Sequence, residues 1–560
     1  MSKFTSKSNE KRKRAKGNSN ASGRNSKSTT RDERDARGNT SLSKSTKTDV
    51  NPSNINDPIW YSMDNQLVNN AGQISFYNPN GAQIEPVSGY TGKLSMPGIM
   101  AINMVPIPGV SKDPYSPINV AARRLFDAVN YKNSRNFTYE SSDLMIYSYV
   151  TASAYAYYAW MKRIYGIMNT YSNTNWFMPD GLLRAIGVSA SDVRTHLSDL
   201  RYYVNYFGRK LSVLTVPAKS SVYARYIWLN TNLFTDADTL KAGIYIPNFT
   251  TFHRYVANVK TSGTVIGGTC YLASPSKSSS GLSTFKDIMD FGESLIQPLV
   301  EDQDIGNMSA DILKSVDGAF MVIDPMPDDY AVAPVYSEEV LDQIHNARAY
   351  GYPILPKPVN NDDGTISYDS LTSGVVYQRN NTIYSSLKLN PSGGGVASNV
   401  IGLAPYNDTL IDTILPNPTA ADVMTMTRLV PMASFDPKTN HYELMYAGTE
   451  VVTNYTIVYN TSTGSSVSIS GLSFMGVNMS TTTTASDMVQ YMNTVNGYAK
   501  MHTKFTHAPR LIIGCKYNDG SKETEYSSDI SDVFNYTVIH GDTQLRKLHE
   551  VAVLSELSSY

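Results

Sequence analysis

The sequence predicts a mainly α-helical fold with a strand-rich and loop-rich portion, an α+β class. The uncharged run from Leu144 to Met161 is long enough to form a helix buried on every side. Several other segments begin at a serine and continue with apolar residues at helical spacing, which is typical of capped amphipathic helices. By contrast, Val359 to Thr483 is rich in Asn, Thr, Ser and Gly, and its β-branched run from Val451 to Tyr459 favours strands.

Charge is distributed unevenly along the chain, whose formal net charge is −1. Residues 1–50 hold 14 of the 48 bases and 5 of the 49 acids, so the rest holds 34 bases and 44 acids, a net charge of −10. Residues 1–56 contain too few apolar side chains to offset their ordering entropy, so we expect a disordered basic tail that neutralises the phosphates of a polyanion. A solubilising or nuclear-targeting tail is the alternative, because KRKRAK resembles a localisation patch. The candidate RNA contacts are Lys3, Lys7, Lys11, Arg12, Lys13, Arg14, Lys16, Arg24, Lys27, Arg31, Arg34, Arg37, Lys44 and Lys47.

Residues 57–115 are predicted to form an extended N-terminal arm. Prolines and glycines recur between Pro79 and Gly109, which implies extended segments and turns that wrap on other parts of the protein. We therefore expect this arm to contribute little core of its own.

Residues 116–358 are predicted to form a helical domain around a central helix from Asp143 to Tyr171. Ser116, followed by proline, is typical of a helix start, and Ser141 and Ser142 are candidate N-caps of the central helix. A membrane span is the alternative for this helix, but membrane helices keep tyrosines at the two interfaces, whereas here they lie throughout the run. These tyrosines are Tyr147, Tyr149, Tyr155, Tyr157 and Tyr158.

A second amphipathic helix is predicted after Ser189 and Asp192, which have the spacing of a capping box. Six apolar residues follow at steps of three and four, so they share one helical face. They are Val193, Leu197, Leu200, Val204, Phe207 and Leu211. Further helices are predicted to begin at Ser283, Ser309 and Ser337.

Residues 359–483 are predicted to be strand-rich and loop-rich, with one helix from Ala420 to Arg428. Residues 484–560 are predicted to return to helix, with one helix near Ser486 and another from Asp542 to Leu557.

The motifs of common enzyme classes are missing from the sequence. It contains no GxxxxGK[ST], GxGxxG, GxSxG or HExxH pattern, so we predict no enzymatic activity and no catalytic, cofactor or metal site. His502 and His507 flank Lys504 near Arg510, and we interpret them as a basic surface or interface patch because cations oppose a metal's charge.

Two features bear on the compartment. The two cysteines, Cys270 and Cys515, are too few for a disulfide framework and suit a reducing compartment. The chain does not open on a hydrophobic segment, so we expect no secretory signal and unmodified Asn-X-Ser/Thr sites.

A series of sequence blocks carries a family likeness. The blocks are NDPIWY at Asn56, PGIM at Pro97, SPINVAAR at Ser116, DLMIYSYVTASAYAYYAWMKRIYGIM at Asp143, TVPAKSSVYARYIWLNTNLFTD at Thr215, SADILK at Ser309, DDYAVAPVYSEEVLDQIHNA at Asp328, NYTVI at Asn535 and LRKLHEVAVLSE at Leu545. In this order they resemble picobirnavirus capsid proteins and cover most of the body outside the tail and residues 359–483.

The resemblance implies a helix-rich double-stranded RNA virus capsid fold of the picobirnavirus type. It implies symmetric homodimers in a small icosahedral shell that encloses double-stranded RNA and the viral polymerase, within a virion assembled in the host cytoplasm. Residues 116–358 and 484–560 would then form the shell and residues 359–483 much of a projecting region. Some family members lose an N-terminal segment by cleavage, for which Asn70-Ala71 is the candidate bond here.

Two other functions fit the same sequence. One is a nonviral RNA-binding protein, for which the tail would be the whole function. The other is a membrane-active protein that uses the tyrosine-rich helix, with membrane contact during entry as its viral form.

Overall fold

The computed structural model describes most of the chain beyond the tail. The described residues are 62–74, 79–84, 93–133, 136–171, 175–239, 241–257, 259–261, 264–266, 268–275, 281–316, 318–349, 351, 358–360, 366–368, 375–385, 387–389, 408–436, 441–529 and 535–557. The chain divides into two units, Met1–Gly72 and Gln73–Tyr560, and the second holds all the elements after the first helix.

The helices differ in length from one and a half turns to eight. They are α1 (Asn65–Gly72), α2 (Pro117–Asn133), α3 (Ser141–Thr170), α4 (Phe177–Ala185), α5 (Ala190–Thr195), α6 (Leu197–Leu211), α7 (Ser221–Thr231), α8 (Phe285–Glu301), α9 (Gln303–Ser315), α10 (Glu338–Asn346), α11 (Ala420–Met426), α12 (Ala485–His502) and α13 (Gly541–Leu557).

Most strands are short. They are β1 (Asn80–Ile84), β2 (Leu94–Pro97), β3 (Ile99–Pro106), β4 (Leu233–Thr235), β5 (Ile244–Phe249), β6 (Phe252–Val256), β7 (Val259–Thr261), β8 (Thr264–Ile266), β9 (Thr269–Ala273), β10 (Pro334–Val335), β11 (Pro358–Asn360), β12 (Ile366–Tyr368), β13 (Val375–Arg379), β14 (Thr382–Tyr384), β15 (Lys388–Leu389), β16 (Asp408–Thr413), β17 (Pro431–Asp436), β18 (His441–Tyr446), β19 (Glu450–Asn460), β20 (Ser466–Gly471), β21 (Phe474–Ser480), β22 (Ile512–Asn518), β23 (Glu523–Asp529) and β24 (Asn535–His540).

The predicted central helix is confirmed as α3, which is buried along almost its whole length. Its start differs from the prediction, because the N-cap is Glu140, whose backbone N–H donates to Asp143 Oδ2 at 3.0 Å. Ser141 and Ser142 lie inside the first turn, where the side chain of Asn381 accepts hydrogen bonds from both. The start of α3 is therefore held by a hairpin far away in sequence as well as by its own cap.

An eight-stranded mixed sheet forms the other large element, in the order β1-β2-β19-β3-β5-β4-β10 with β20 paired to β19. Strand β3 is parallel to β5 and antiparallel to β19, and every residue of β3 is buried. The expectation that residues 57–115 contribute little core is therefore wrong. Ile99, Met100 and Ile102 are fully buried, because this short apolar strand lies in the middle of the sheet rather than on its surface.

Strand β19 also lies in the central sheet, although the predicted domain boundaries separate it from β3. It falls within residues 359–483, yet it lies between β2 and β3 and is buried along its whole length. The β-branched run from Val451 to Tyr459 predicted the strand correctly but not its place, because strand order depends on contacts distant in sequence. At least this part of the range belongs to the same sheet as β3.

The other helices follow the predicted faces with shifted ends. The single helix predicted after Ser189 is two helices, α5 and α6, that meet at His196. Five of the six predicted face residues are fully buried, and Leu197 is partly buried against the same core. Asp192 does not close the predicted capping box, because its Oδ2 accepts from the backbone N–H of Phe285 at 2.6 Å.

Predictions of a helix start from a single serine agree less well with the structure. Ser337 caps α10 as predicted. Helix α9 begins six residues before Ser309, because Asp302 is its N-cap and accepts from two backbone N–H groups. Helices α8 and α12 are capped by Thr284 and Thr484, next to the predicted serines.

Candidate functional sites

The predicted RNA-contact residues, Lys3 to Lys47, lie outside the described residues. The candidate cleavage bond is described, and Asn70 and Ala71 are both exposed within α1. An exposed site is accessible to a protease, although a helical bond must unwind locally before it is cut.

The tyrosines of α3 point into their own subunit. Tyr147 donates from its hydroxyl to the backbone oxygen of Thr215 at 2.9 Å, and Tyr157 donates to that of Ile288 at 2.6 Å. Burial raises the pKa of Tyr155 to about 12, so its phenol stays neutral at physiological pH. These side chains therefore serve the core with large apolar rings, and the hydroxyls of Tyr147 and Tyr157 are satisfied by backbone oxygens.

A buried polar chain connects α3 to the central sheet. Trp160 donates from Nε1 to Asn248 Oδ1 at 3.0 Å, and Asn248 Nδ2 donates to Asn103 Oδ1 at 2.9 Å. Asn103 Nδ2 in turn donates to Thr456 Oγ1 at 2.9 Å. The chain crosses β5, β3 and β19, so it fixes the position of α3 over three neighbouring strands.

Arg163 is the charged member of this region and is fully buried. Its Nη1 donates to the backbone oxygens of Pro247 at 2.6 Å and Leu229 at 3.1 Å, and its Nη2 donates to Asn248 Oδ1 at 3.2 Å. Burial lowers the pKa of the guanidinium to about 9, which still leaves it charged at neutral pH.

A second buried cluster is ionic and joins α7, β19 and α13. Arg225 donates from Nε to Glu450 Oε1 at 2.5 Å, and Arg428 contacts both Glu450 and Glu556. Burial alone would raise the pKa of Glu450, but the two guanidinium groups outweigh it and hold the value at about 2. Thr449 donates to Glu556 at 2.7 Å, so the cluster fastens the C-terminal helix to the sheet.

The interpretation of His502 and His507 as a basic surface patch is wrong. Both are buried, and desolvation lowers the pKa to about 3 for His502 and about 4 for His507, so both are neutral at physiological pH. They lie with His345, whose Nε2 is 2.6 Å from the buried carboxylate of Asp412. Lys504 and Arg510 suggested a solvent-exposed patch, but the side chains of both histidines lie in the protein interior.

The first half of α12 is an exposed apolar surface. Every residue from Ala485 to Thr494 is exposed, and four of them are large and hydrophobic. These are Met488, Val489, Tyr491 and Met492. An exposed cluster of this kind is typical of a protein that associates with other molecules.

Neither a metal-binding cluster nor a membrane-spanning helix is present among the described residues. Among the side chains that the structure describes, no group of three or more His, Cys, Asp or Glu residues could hold a metal ion. None of the described helices, including the 30-residue α3, is apolar enough over a sufficient length to cross a membrane.

The comparisons with known proteins agree with one another. A family model described as "Picobirnavirus, Capsid protein" matches residues 60–388. The capsid protein precursor of Human picobirnavirus (strain Human/Thailand/Hy005102/-) is 30% identical over 325 residues, which make up 55% of this chain and 57% of that relative. The match therefore spans little more than half of the relative's length.

A solved structure extends the likeness to nearly the whole chain. The crystallographic structure of the picobirnavirus capsid has a TM-score of 0.67 and covers 90% of this chain and 98% of that chain. The sequence identity is 16%, so this likeness concerns the fold. It confirms the predicted helix-rich α+β fold of the picobirnavirus capsid type.

Proposed function

Because the chain belongs to the picobirnavirus capsid protein family, we propose that it assembles as symmetric dimers into a small icosahedral shell that packages double-stranded RNA. As a capsid protein it is a structural component of the virion. In this proposal the shell assembles in the host cytoplasm and encloses the viral polymerase together with the genome. Membrane contact during entry and cleavage at Asn70-Ala71 are further parts of it.

The charge pattern is the observation that supports RNA packaging most directly. A tail with 14 bases and five acids precedes a body with a net charge of −10. The body would repel RNA, whereas the tail can neutralise phosphates without reading sequence. As a flexible coil of about 50 residues, the tail has a root-mean-square reach of roughly 40 Å. It can therefore extend from a shell wall into packed RNA.

Deletion of residues 1–50 tests the role of the tail. We expect the deleted chain to form shells of normal size, since most of the described elements lie in Gln73–Tyr560. We expect those shells to contain no RNA, measured as the ratio of absorbance at 260 and 280 nm and by RNA extraction. RNA-filled shells from the deleted chain would refute this role.

A matched control separates charge from sequence. A chain whose first 50 residues are shuffled keeps the same bases and acids and should package as much RNA as the native chain. Loss of RNA from the shuffled chain would show that the tail reads a specific feature of the RNA, contrary to the proposal.

Cleavage at Asn70-Ala71 is tested by intact mass spectrometry of assembled particles. We expect a shortened chain that begins at Ala71, because the bond is exposed. An intact chain in mature particles would remove cleavage from the proposal.

A further inference from the structure

The body carries a basic surface where α2 and α13 pack side by side. Its described exposed side chains include six bases and three acids, a local net charge of +3 on a body whose total is −10. The bases are Lys112, Arg123, Arg124, Lys132, Arg546 and Lys547, and we name this surface the α2–α13 basic face. The acids are Asp113, Asp127 and Glu550.

Part of this negative charge is already engaged within the protein. Asp113 Oδ1 accepts from the backbone N–H of Tyr115 at 2.8 Å and from the hydroxyl of Ser116 at 3.1 Å. Arg123 is also held in place, since its Nε donates to the backbone oxygen of Asn119 at 3.3 Å. Arg123 is therefore held in a fixed position on this face.

A cleft of about 250 Å³ opens on this face between the start of α2 and the middle of α13. The bases Lys112 and Arg546 and the acids Asp113 and Glu550 line it, together with Tyr115 and the buried ring of His549. His549 Nε2 accepts from the backbone N–H of Val110 at 3.2 Å, which fixes the ring and the cleft wall. The cleft is smaller than the ~300–1,000 Å³ typical of sites for drug-sized ligands. It is too small for a whole cofactor, and its two bases and two acids leave it without net charge.

Two exposed tyrosines belong to the same segments as the cations, since Tyr115 lines the cleft and Tyr131 precedes Lys132 in α2. Tyr115 and Tyr131 are 82% and 84% exposed, which makes them the two most exposed tyrosines among the described residues. An exposed ring next to a cation is the combination with which proteins hold nucleic acid, because the cation neutralises a phosphate while the ring stacks on an unpaired base. An acidic protein surface would need the cations but not the rings.

We propose that the α2–α13 basic face is a second RNA-binding surface, which contacts the RNA backbone on the inner wall of the shell after the tail has drawn the RNA in. The inference rests on the proposed packaging function. It assigns the body itself a part in holding the genome, through the exposed bases of α2 and α13. The partner is the packaged double-stranded RNA, whose phosphates meet the cations and whose terminal bases can stack on the exposed rings.

The test uses the full chain with three exposed bases of the face replaced, R124Q/R546Q/K547Q. A control chain carries K241Q/K286Q/K522Q, which removes the same charge from exposed positions elsewhere on the body. Binding to a labelled RNA hairpin is measured as a function of NaCl concentration. Each lost phosphate contact lowers the slope of log K against log [NaCl] by about 0.7 to 0.9, so we expect the face variant to lose about 2 to 3 and the control to lose nothing.

The outcomes are distinct. An unchanged slope in the face variant, or an equal loss in the control, would overturn the second surface. A face variant that binds RNA normally but yields fewer particles would also overturn it, since the face would then contact another copy of the chain. A native chain that binds no RNA would refute packaging itself and this inference with it. Equal melting temperatures of the three chains check that the folds are intact.

A second readout locates the contact. Ultraviolet cross-linking of RNA-filled particles, followed by peptide mass spectrometry, should find RNA on the peptides that contain Tyr115 and Tyr131. Cross-links confined to residues 1–50 would contradict the proposal even if the salt dependence agreed with it.

Discussion

Arg163 is a buried cation with no acidic partner among the residues that the structure describes. Backbone oxygens of two segments and the amide oxygen of Asn248 accept its hydrogen bonds. Such a site is stable only while every partner is present, because an unsatisfied buried polar group costs about 1 to 3 kcal/mol. The sequence did not reveal the burial of Arg163, since its hydrogen-bond partners lie 66 to 85 residues away.

We predict that Arg163→Ala lowers the free energy of unfolding by about 4 kcal/mol. The change leaves a cavity and removes three hydrogen bonds from buried acceptors. Chemical denaturation of the purified chain measures the loss, with Lys241→Ala as an exposed control that should change stability by less than about 0.5 kcal/mol. A loss from Arg163→Ala as small as that of the control would contradict the structural role.

Buried histidines make the fold sensitive to acid. Desolvation lowers the pKa from 6.5 to about 3 in His253 and His502 and to about 4 in His507 and His549. The unfolded chain binds protons on these groups below pH 6.5 while the folded chain does not, so stability falls as the pH drops from 6.5 towards 4. Asp342 opposes this effect, because burial raises its pKa to about 6, but one carboxyl is outweighed by four histidines.

We predict that the melting temperature falls steeply between pH 6.5 and 4.5. The lowering of the His549 pKa from 6.5 to about 4 corresponds to a loss of about 3 kcal/mol of folding stability once the pH is below both values. Differential scanning calorimetry measures the trend, and His502→Phe should make it shallower because it removes one titrating group and keeps a ring. A melting temperature that stays constant over this range would contradict the burial of these side chains.

At the scale of elements, the sequence was most informative where one element carries the whole pattern. The uncharged run predicted α3, and the apolar spacing predicted the buried face of α5 and α6. The break at His196 was not predicted, because the apolar spacing continues through it without interruption. The buried place of β3 was missed for a similar reason, because its partners β5 and β19 lie far along the chain.

Close contacts between elements depend on glycine at particular positions. Gly471, the last residue of β20, faces Tyr498 of α12, and a Cβ atom there would lie 2.1 Å from the ring carbon Cζ. Gly306 in α9 has no atom within 4 Å of the same position. The two glycines therefore offer a matched pair of substitutions with opposite expected effects.

We predict that Gly471→Ala lowers the free energy of unfolding by about 2 kcal/mol through overpacking. Gly306→Ala should instead raise it by about 0.5 to 1 kcal/mol, because alanine is the better helix former. Thermal or chemical denaturation of both variants measures the signs. Two changes of the same sign would show that one of the two environments differs from the structure.

At the scale of the whole molecule, the sequence predicted the family and fold class but not the surfaces. Residues distant in sequence meet on the α2–α13 basic face, where Arg124 and Arg546 are 422 positions apart. Two adjacent bases in a helix, Arg123 and Arg124, were the signal in the sequence, but such a pair is most often a solvated helix face. The exposure of the first half of α12 could not be predicted either, because its apolar residues resemble those of an ordinary packed helix.

The proposed function requires that this chain alone can build a shell. Electron microscopy of the purified full-length chain at physiological salt, with light scattering for the particle mass, tests it most directly. We expect closed, uniform particles with icosahedral symmetry built from dimers. Monomers that bind RNA without forming particles, or aggregates that require lipid, would contradict the claim and favour one of the two other functions.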